Sequence, residues 1–568
     1  MHGSPLCMFC PAVTLFIMHN LSVMIYALCR NFEKLLTFKA ILCYNLIVRN
    51  QPAVYAGTNQ RKVWYSIMKP RISRIIAMAF AALMLLSLAS CVQPGNSDAT
   101  STAAPSAATT AATPESSSPY KEDDLGEMNL NTTIGVLAWS DVEHFEFNEE
   151  IGLEKSVSDL VLSKLNSRLG TVQKRLGVTI EFTTIPGNSS NSSSWNSYLE
   201  KAMQGGDNTF DVIAGYSLSV AQNAASGFLY NMLSDECEYL NFNQPWWSEL
   251  LVKEATVKDK LFFASGDISR NALEMMYVCF VNTNLLTEYN LENPQNYVAS
   301  GDWTYDQFIS MCSGVYKDLD SSGTKNTTST EGDQFGYITS GIHVDPWFYG
   351  SGATILDKDA DGNLIVSDMF AGERVVNTVN KLNQFLYNTD DGIYTSKVTH
   401  QRAFGMGRCL FMMDRARVSH KVLKAEYEVD YVVVPCPKYD KDQEKYITVM
   451  GNPFTLYAIR KDATNPKAAS AFIECMASEG YRQVTPAVFE LQLKTRYVND
   501  PISGQMYDII RSNLTYDLGR IFDKPLGGTQ SVFKNAIKNN NPNYAASAKQ
   551  SSRIFETKIQ ALMNVFSN

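Results

Sequence analysis

The chain has 568 residues, of which 45% are hydrophobic, 11% aromatic and 19% charged. That length exceeds what one hydrophobic core serves, and the composition excludes collagenous and wholly disordered chains. With 49 Lys and Arg against 58 Asp and Glu, the net charge of −9 argues against nucleic acid as a partner, because phosphate binding needs cations to displace counterions.

The first strong local pattern runs from Met68 to Cys91. Lys69, Arg71 and Arg74 form a basic start, and Ile75 to Leu88 is an apolar run shorter than the about 20 residues a spanning helix needs. Leu88-Ala89-Ser90-Cys91 resembles the bacterial lipobox, whose Cys is acylated and becomes the mature amino terminus. Residues 68–90 then read as a lipoprotein signal peptide, Cys91 as the lipidation site, and the body as extracellular and anchored to the cell membrane by lipid alone. Residues 1–67 read as a mis-called upstream extension, with Met68 the initiator. Residues 1–90 hold nine of the basic and one of the acidic side chains, so 40 basic and 57 acidic groups follow them. This acidic balance favours solubility.

Beyond Cys91 the six thiols, from Cys237 to Cys475, are widely spaced and contain no C-x-x-C pair, so they are expected mostly free and buried. From Val92 to about Asp124 the chain is rich in Ser, Thr, Ala and Pro, too polar and simple to bury a core. Residues 91–128 are therefore assigned to the acylated Cys and a tether that lets the body stand off the membrane.

From Asn131 strands and helices alternate. Thr133 to Ala138 reads as a buried strand, Val157 to Leu176 as an amphipathic helix, and Val178 to Thr183 as a strand. A helix from Trp195 to Met203, a strand from Phe210 to Ala214 and a helix from Ser217 to Ala225 follow. The rhythm implies an open α/β sheet with helices on both faces. Ligands of such sheets bind at the carboxyl ends of strands, which singles out Trp139, Ser140, Tyr216 and Ser217.

Several segments resemble one family in the same order. They are Gly205-Gly206-Asp207 with Phe210-Asp211-Val212 and Ala225 to Leu229, then Lys260 to Phe263 with Met275 to Leu286. Gly301-Asp302-Trp303-Thr304, Phe404 to Met413, Val432 to Lys438, and Asn465-Pro466 with Ala468 to Met476 complete the series. The chain from Asn131 to Asn568 is thus similar to bacterial extracellular solute-binding proteins of family 1, the maltose-binding-protein-like carbohydrate-binding lipoproteins of ABC transporters. The resemblance implies a two-lobed periplasmic-binding-protein-like type II fold, each lobe a mainly parallel sheet flanked by helices, with a hinge between them. Lobe one would comprise 129–275 plus 433–485 and lobe two 276–432 plus 486–568. A monomer would capture a small polar solute, a mono- or oligosaccharide first, and deliver it to ABC permease subunits, with no catalysis.

A sugar shows hydroxyls at its rim and C–H groups on its faces, so its pocket wants flat aromatics and a few fixed polar groups. Trp139 and Tyr216 would serve lobe one. Asp345, Trp347 and Tyr349 would serve lobe two, from a stretch expected to be a loop because Pro346, Gly350 and Gly352 punctuate it. Asp414 and Arg415, just past an expected strand, can offer forked hydrogen bonds, and Asp267 and Asn452 follow glycines in the same manner. Trp303 is assigned to packing beneath a helix capped by Thr304 or Asp302.

Asp357, Asp359, Asp361, Asn363 and Asp368 match a calcium-loop pattern except for Asp in the twelfth position, and the same stretch reads as a hairpin turning at Asp361-Gly362. No other cofactor is indicated. His144, His343, His400 and His420 are too scattered along the chain to suggest a metal site. Two alternatives share the composition: a surface hydrolase of polysaccharides, for which no G-x-S-x-G, H-E-x-x-H or phosphate loop is present, and a sensory binding protein that feeds a receptor.

Overall fold

The computed structural model describes residues 120–140, 150–152, 159–327, 332–395, 400–496, 498 and 500–567. The signal peptide, Cys91 and most of the tether lie outside them. Thirteen strands occur in chain order among the described residues: β1 (Thr132–Ser140), β2 (Val178–Pro186), β3 (Val212–Tyr216), β4 (Tyr277–Asn282), β5 (Phe335–Thr339), β6 (Leu356–Lys358), β7 (Leu364–Val366), β8 (Gly392–Tyr394), β9 (Cys409–Arg415), β10 (Tyr431–Val434), β11 (Thr448–Val449), β12 (Thr455–Ile459) and β13 (Leu514–Thr515).

The first sheet has the order β12-β3-β1-β2, parallel except for β12. Its central strand β1 is buried on both faces, which is why its sequence is a continuous apolar run without alternation. Gly135 in that strand lets the backbone of Thr209 approach, since a Cβ there would lie 1.8 Å from the Thr209 carbonyl oxygen. The helix Leu160–Leu176 covers one face with Val161, Leu165, Val172 and Leu176. The Asp159 carboxylate accepts a hydrogen bond from Leu162 N at its start, and Gly177, at φ 63°, ends it in the left-handed conformation.

The second sheet has the order β10-β4-β9-β5-β8, with β5, β8 and β9 parallel and β4 antiparallel to β9 and β10. Beneath it Phe308 sits among Trp303, Tyr337, Trp347 and Phe411, with ring centroids 4.6 to 5.8 Å away. Trp303 is completely buried and donates to the Pro435 carbonyl, while Thr304 caps the helix Tyr305–Cys312, in line with the packing role expected for them. The chain passes between the sheets three times: after Glu274, between Val434 and Thr455, and between Glu479 and Pro501. Two lobes result, each an α/β sheet flanked by helices.

Two local expectations need correction. Asp345–Gly350 is a short helix preceded by a 3-10 turn, Gly341–Val344, where a loop was expected, because Pro346 occupies the first turn of a helix, where its missing N–H costs nothing. The tether ends earlier than Asp124. The Asp123 carboxylate pairs with Arg175 at 2.5 Å and Arg482 at 3.1 Å, and Tyr120 meets Tyr481 edge-on at 5.2 Å, so this stretch belongs to lobe one. The hairpin expected at Asp361-Gly362 is present, with β6 and β7 paired antiparallel on either side of the calcium-like sequence. Cys237, Cys279, Cys312, Cys409, Cys436 and Cys475 are free and buried. Among the described residues no helix is long and apolar enough to cross a membrane.

Glu474 is 2% exposed and accepts hydrogen bonds from Trp246 Nε1, Trp247 Nε1 and Asn241 N. Burial pushes its carboxyl up to about 7 despite these donors. A raised folded-state pKa contributes stability that is complete below the unfolded value near 4.5 and is lost as pH rises through 7. Subtracting the urea-unfolding profile of Glu474→Gln from that of the wild type should therefore leave a component that declines by on the order of 2–3 kcal/mol across this window. A flat difference profile would refute the assignment.

Candidate functional site: the cleft between the two sheets

On the lobe-one side, β1 ends at Trp139 and Ser140, and β3 ends at Tyr216, directly before the helix Ser217–Ala225. Trp139 and Tyr216 meet edge-on with centroids 5.3 Å apart, and Trp139 Nε1 donates to Thr455 Oγ1 at 2.7 Å. Ser217 Oγ donates to the Asn452 carbonyl at 2.6 Å. Four sequence candidates thus meet around the crossing segment that leads into β12. Ser140 is at the same edge, beside Pro186.

Opposite them, Tyr349 donates to Asp517 Oδ2 at 3.2 Å, and the Arg520 guanidinium lies 5.6 Å from the Tyr349 ring centroid. Arg520 Nη1 donates to Asp345 Oδ2 at 2.6 Å and Gln530 Oε1 at 3.0 Å, while its Nε donates to the Met450 carbonyl at 3.1 Å. Burial pushes the Asp517 carboxyl up to about 6, although the N–H groups of Ile355, Leu356 and Gly519 point at it. Tyr349, Asn452, Tyr516, Asp517 and Arg520 share a cavity of about 10 Å³, room for about one water. Sequence reasoning missed Tyr516, Asp517 and Arg520. The available signal was a lone arginine inside the apolar run Leu518 to Phe522.

Asp414 and Arg415 lie on the last two positions of β9, so the strand extends past Met413. Asp414 is fully buried, with Oδ2 held by His400 Nε2 at 2.7 Å and Gln401 Nε2 at 2.7 Å, and Oδ1 accepting from Arg415 Nε at 3.0 Å. Burial alone would raise its carboxyl, but His343, Arg415 and His400 outweigh that and hold it well below the usual range. His343 and His400, expected to be too scattered for a common site, have ring centroids 3.9 Å apart. Their loops follow β5 and β8 in one sheet, and linear spacing does not reveal this. Arg415 packs on Gly451 of the crossing segment, where a Cβ would lie 2.9 Å from its Cδ.

The remaining candidates lie elsewhere. Trp347 is 1% exposed in the lobe-two core, its Nε1 donating to Tyr337 OH at 3.2 Å, instead of standing on a cleft wall. Asp267 pairs with Arg511 at 2.8 Å on the rim of a second cavity of about 310 Å³, lined also by Trp246, Trp247, Met276 and Tyr516. In the hairpin, Asp359 accepts from Asp361 N, Asn363 N and Asn363 Nδ2, and Asp357 accepts from Thr354 Oγ1, so the turn itself engages these carboxylates. Asp361, Asn363 and Asp368 lie on or after the same turn. Asp318, Asp320 and Asp333 form a further acidic group that the sequence reading did not single out, engaged with the N–H groups of Leu319, Ser322, Gly323 and Asn326.

Two helix-flanked sheets with their strand ends turned toward one cleft, joined by three crossings, define the two-lobed fold of the periplasmic type II class. The chain belongs to the bacterial extracellular solute-binding protein family, whose model matches residues 172–483. Among solved structures, a sugar transporter from Rhizobium etli in an open conformation is 13% identical, with a TM-score of 0.52 over 75% of this chain and 99% of its own. The GacH receptor of Streptomyces glaucescens, solved unliganded and with acarbose, is 15% identical, with a TM-score of 0.49 over 76% and 99%. UgpB from Mycobacterium tuberculosis, solved with glycerophosphocholine, is 12% identical, with a TM-score of 0.48 over 75% and 98%. No curated protein matches the chain by sequence.

Proposed function

We propose that the protein is the extracellular substrate-binding lipoprotein of an ABC importer and captures a mono- or oligosaccharide between its lobes without catalysis. The observation that carries the reading is the meeting of aromatic and forked polar groups at the facing strand ends. Trp139, Tyr216 and Tyr349 supply flat apolar faces, and Asn452, Asp517, Arg520 and Arg415 supply donors and acceptors for hydroxyls. The Rhizobium etli neighbour, described as a sugar transporter, agrees with it. A cavity of about 10 Å³ is far too small for a sugar, so capture requires the lobes to part and shut about the crossing segments. Lys524, which donates to the Ser189 carbonyl at 2.8 Å and to Ser192 Oγ, and the Phe263–Phe522 contact would hold the shut state. Cys91, acylated, would keep the body at the outer face of the cell membrane.

The test is a calorimetric and thermal-shift screen of mono- and oligosaccharides with the purified protein, followed by small-angle scattering. One glycan should bind, raise the melting temperature and reduce the radius of gyration, while remaining chemically intact. Release of cleaved glycan would establish the hydrolase reading instead. Binding of glycerophosphocholine or peptides, with every glycan inert, would overturn the sugar assignment.

A further inference from the structure

The carboxyl edge of the second sheet carries a group that the sugar reading does not use. His343 lies in the 3-10 turn after β5, His400 opens the helix His400–Gly405, and Asp414 is on β9. They are 8%, 4% and 0% exposed. One donor atom from each lies within 4.8 Å of the other two, and the Asp414 carboxylate meets the imidazoles through separate oxygens, Oδ1 at 3.7 Å from His343 Nδ1 and Oδ2 at 2.7 Å from His400 Nε2. Nδ1 of both imidazoles is buried without a hydrogen-bond partner. Polar atoms of this kind are uncommon in proteins and call for an explanation.

The two imidazole rings lie 3.9 Å apart, close enough to face one ion together. Two imidazoles and one carboxylate are the donor set of zinc-type cations, and a tetrahedral ion with bonds of about 2.0–2.2 Å separates its donors by about 3.3 Å. The two imidazole–carboxylate separations, 3.7 Å through Oδ1 and 2.7 Å through Oδ2, lie on either side of that value. Outer contacts that orient such a ligand are also present: Gln401 Nε2 and Arg415 Nε donate to Asp414. We propose that His343, His400 and Asp414 bind one divalent transition cation of the zinc class. Three protein donors leave a fourth position free for water or for a group of the captured solute. The alternative is a hydrogen-bonded triad that serves packing alone.

The proposal is independent of the solute, and its test needs none. The full chain is stripped with chelator and titrated with Zn²⁺ alone by calorimetry. One equivalent should bind, at least a hundredfold more weakly in each of His400→Ala and Asp414→Asn, and unchanged in His420→Gln. Pulsed electron paramagnetic resonance of Cu²⁺ on the unsubstituted protein should count two imidazole nitrogens, a readout that holds even where a variant fails to fold. Absence of stoichiometric Zn²⁺ binding, an affinity unaltered in both site variants, or no imidazole on Cu²⁺ would overturn it.

Discussion

Replacing Arg520 by alanine should lower the unfolding free energy by about 3–5 kcal/mol, because it strands a buried carboxylate. The Arg520 and Asp345 side chains are each 5% exposed and sit 2.6 Å apart. The same guanidinium also serves Gln530 Oε1 and the Met450 carbonyl, so its loss takes the donor from Met450 and leaves Gln530 Oε1 to the weaker contacts of Lys534 and Asn452. The double variant Arg520→Ala with Asp345→Ala should lose less than the two single changes together, since neither partner then remains alone. Urea denaturation measures all three. A single-variant loss below about 1 kcal/mol would show that the pair is solvated and not a buried link. Met450 lies on a crossing segment, so solute affinity of Arg520→Ala should fall as well.

The second large effect is expected from Phe308→Ala. Phe308 is fully buried, and five aromatic rings, those of Trp303, Tyr337, Trp347, Phe385 and Phe411, have centroids within 6.4 Å of its own. Truncation removes the transfer term and leaves a cavity that large neighbouring rings cannot easily fill, a cost of about 3–5 kcal/mol. All these rings belong to lobe two. The fluorescence of Trp303 and Trp347 should therefore report earlier unfolding in urea, while Trp195, donating to Asn223 in lobe one, should keep its transition. Coincident shifts at all tryptophans would mean that the lobes unfold as one unit.

Much of this architecture was legible because buried parallel strands and their helices leave plain marks. β1 shows as an unbroken apolar run, and the helix Ser217–Ala225 was read to its end residues because Gly227 punctuates it. The strand-end rule then selected Trp139, Tyr216 and Ser217, which do meet around Asn452. Trp347 misled because Pro346 and Gly350 suggest a loop, whereas a proline in the first helical turn and a large indole suit a short packed helix. Arg520 left only the mark of a lone cation in an apolar run, with its partners Asp345 and Met450 far along the chain. The His343–His400 pair was not legible because β5, β8 and β9 become neighbours only through sheet order, which local patterning does not encode.

The position of β12 sets the order in which the molecule can mature. It supplies the edge partner of β3, with Thr455 opposite Tyr216, and its Thr455 Oγ1 is the acceptor for the Trp139 indole. A polypeptide cut before Thr455 would display an unsatisfied strand edge and could not complete its amino-terminal half. Synthesis from the first residue onward therefore yields no finished lobe until nearly the whole chain has emerged, and such distant pairing slows acquisition of the native state.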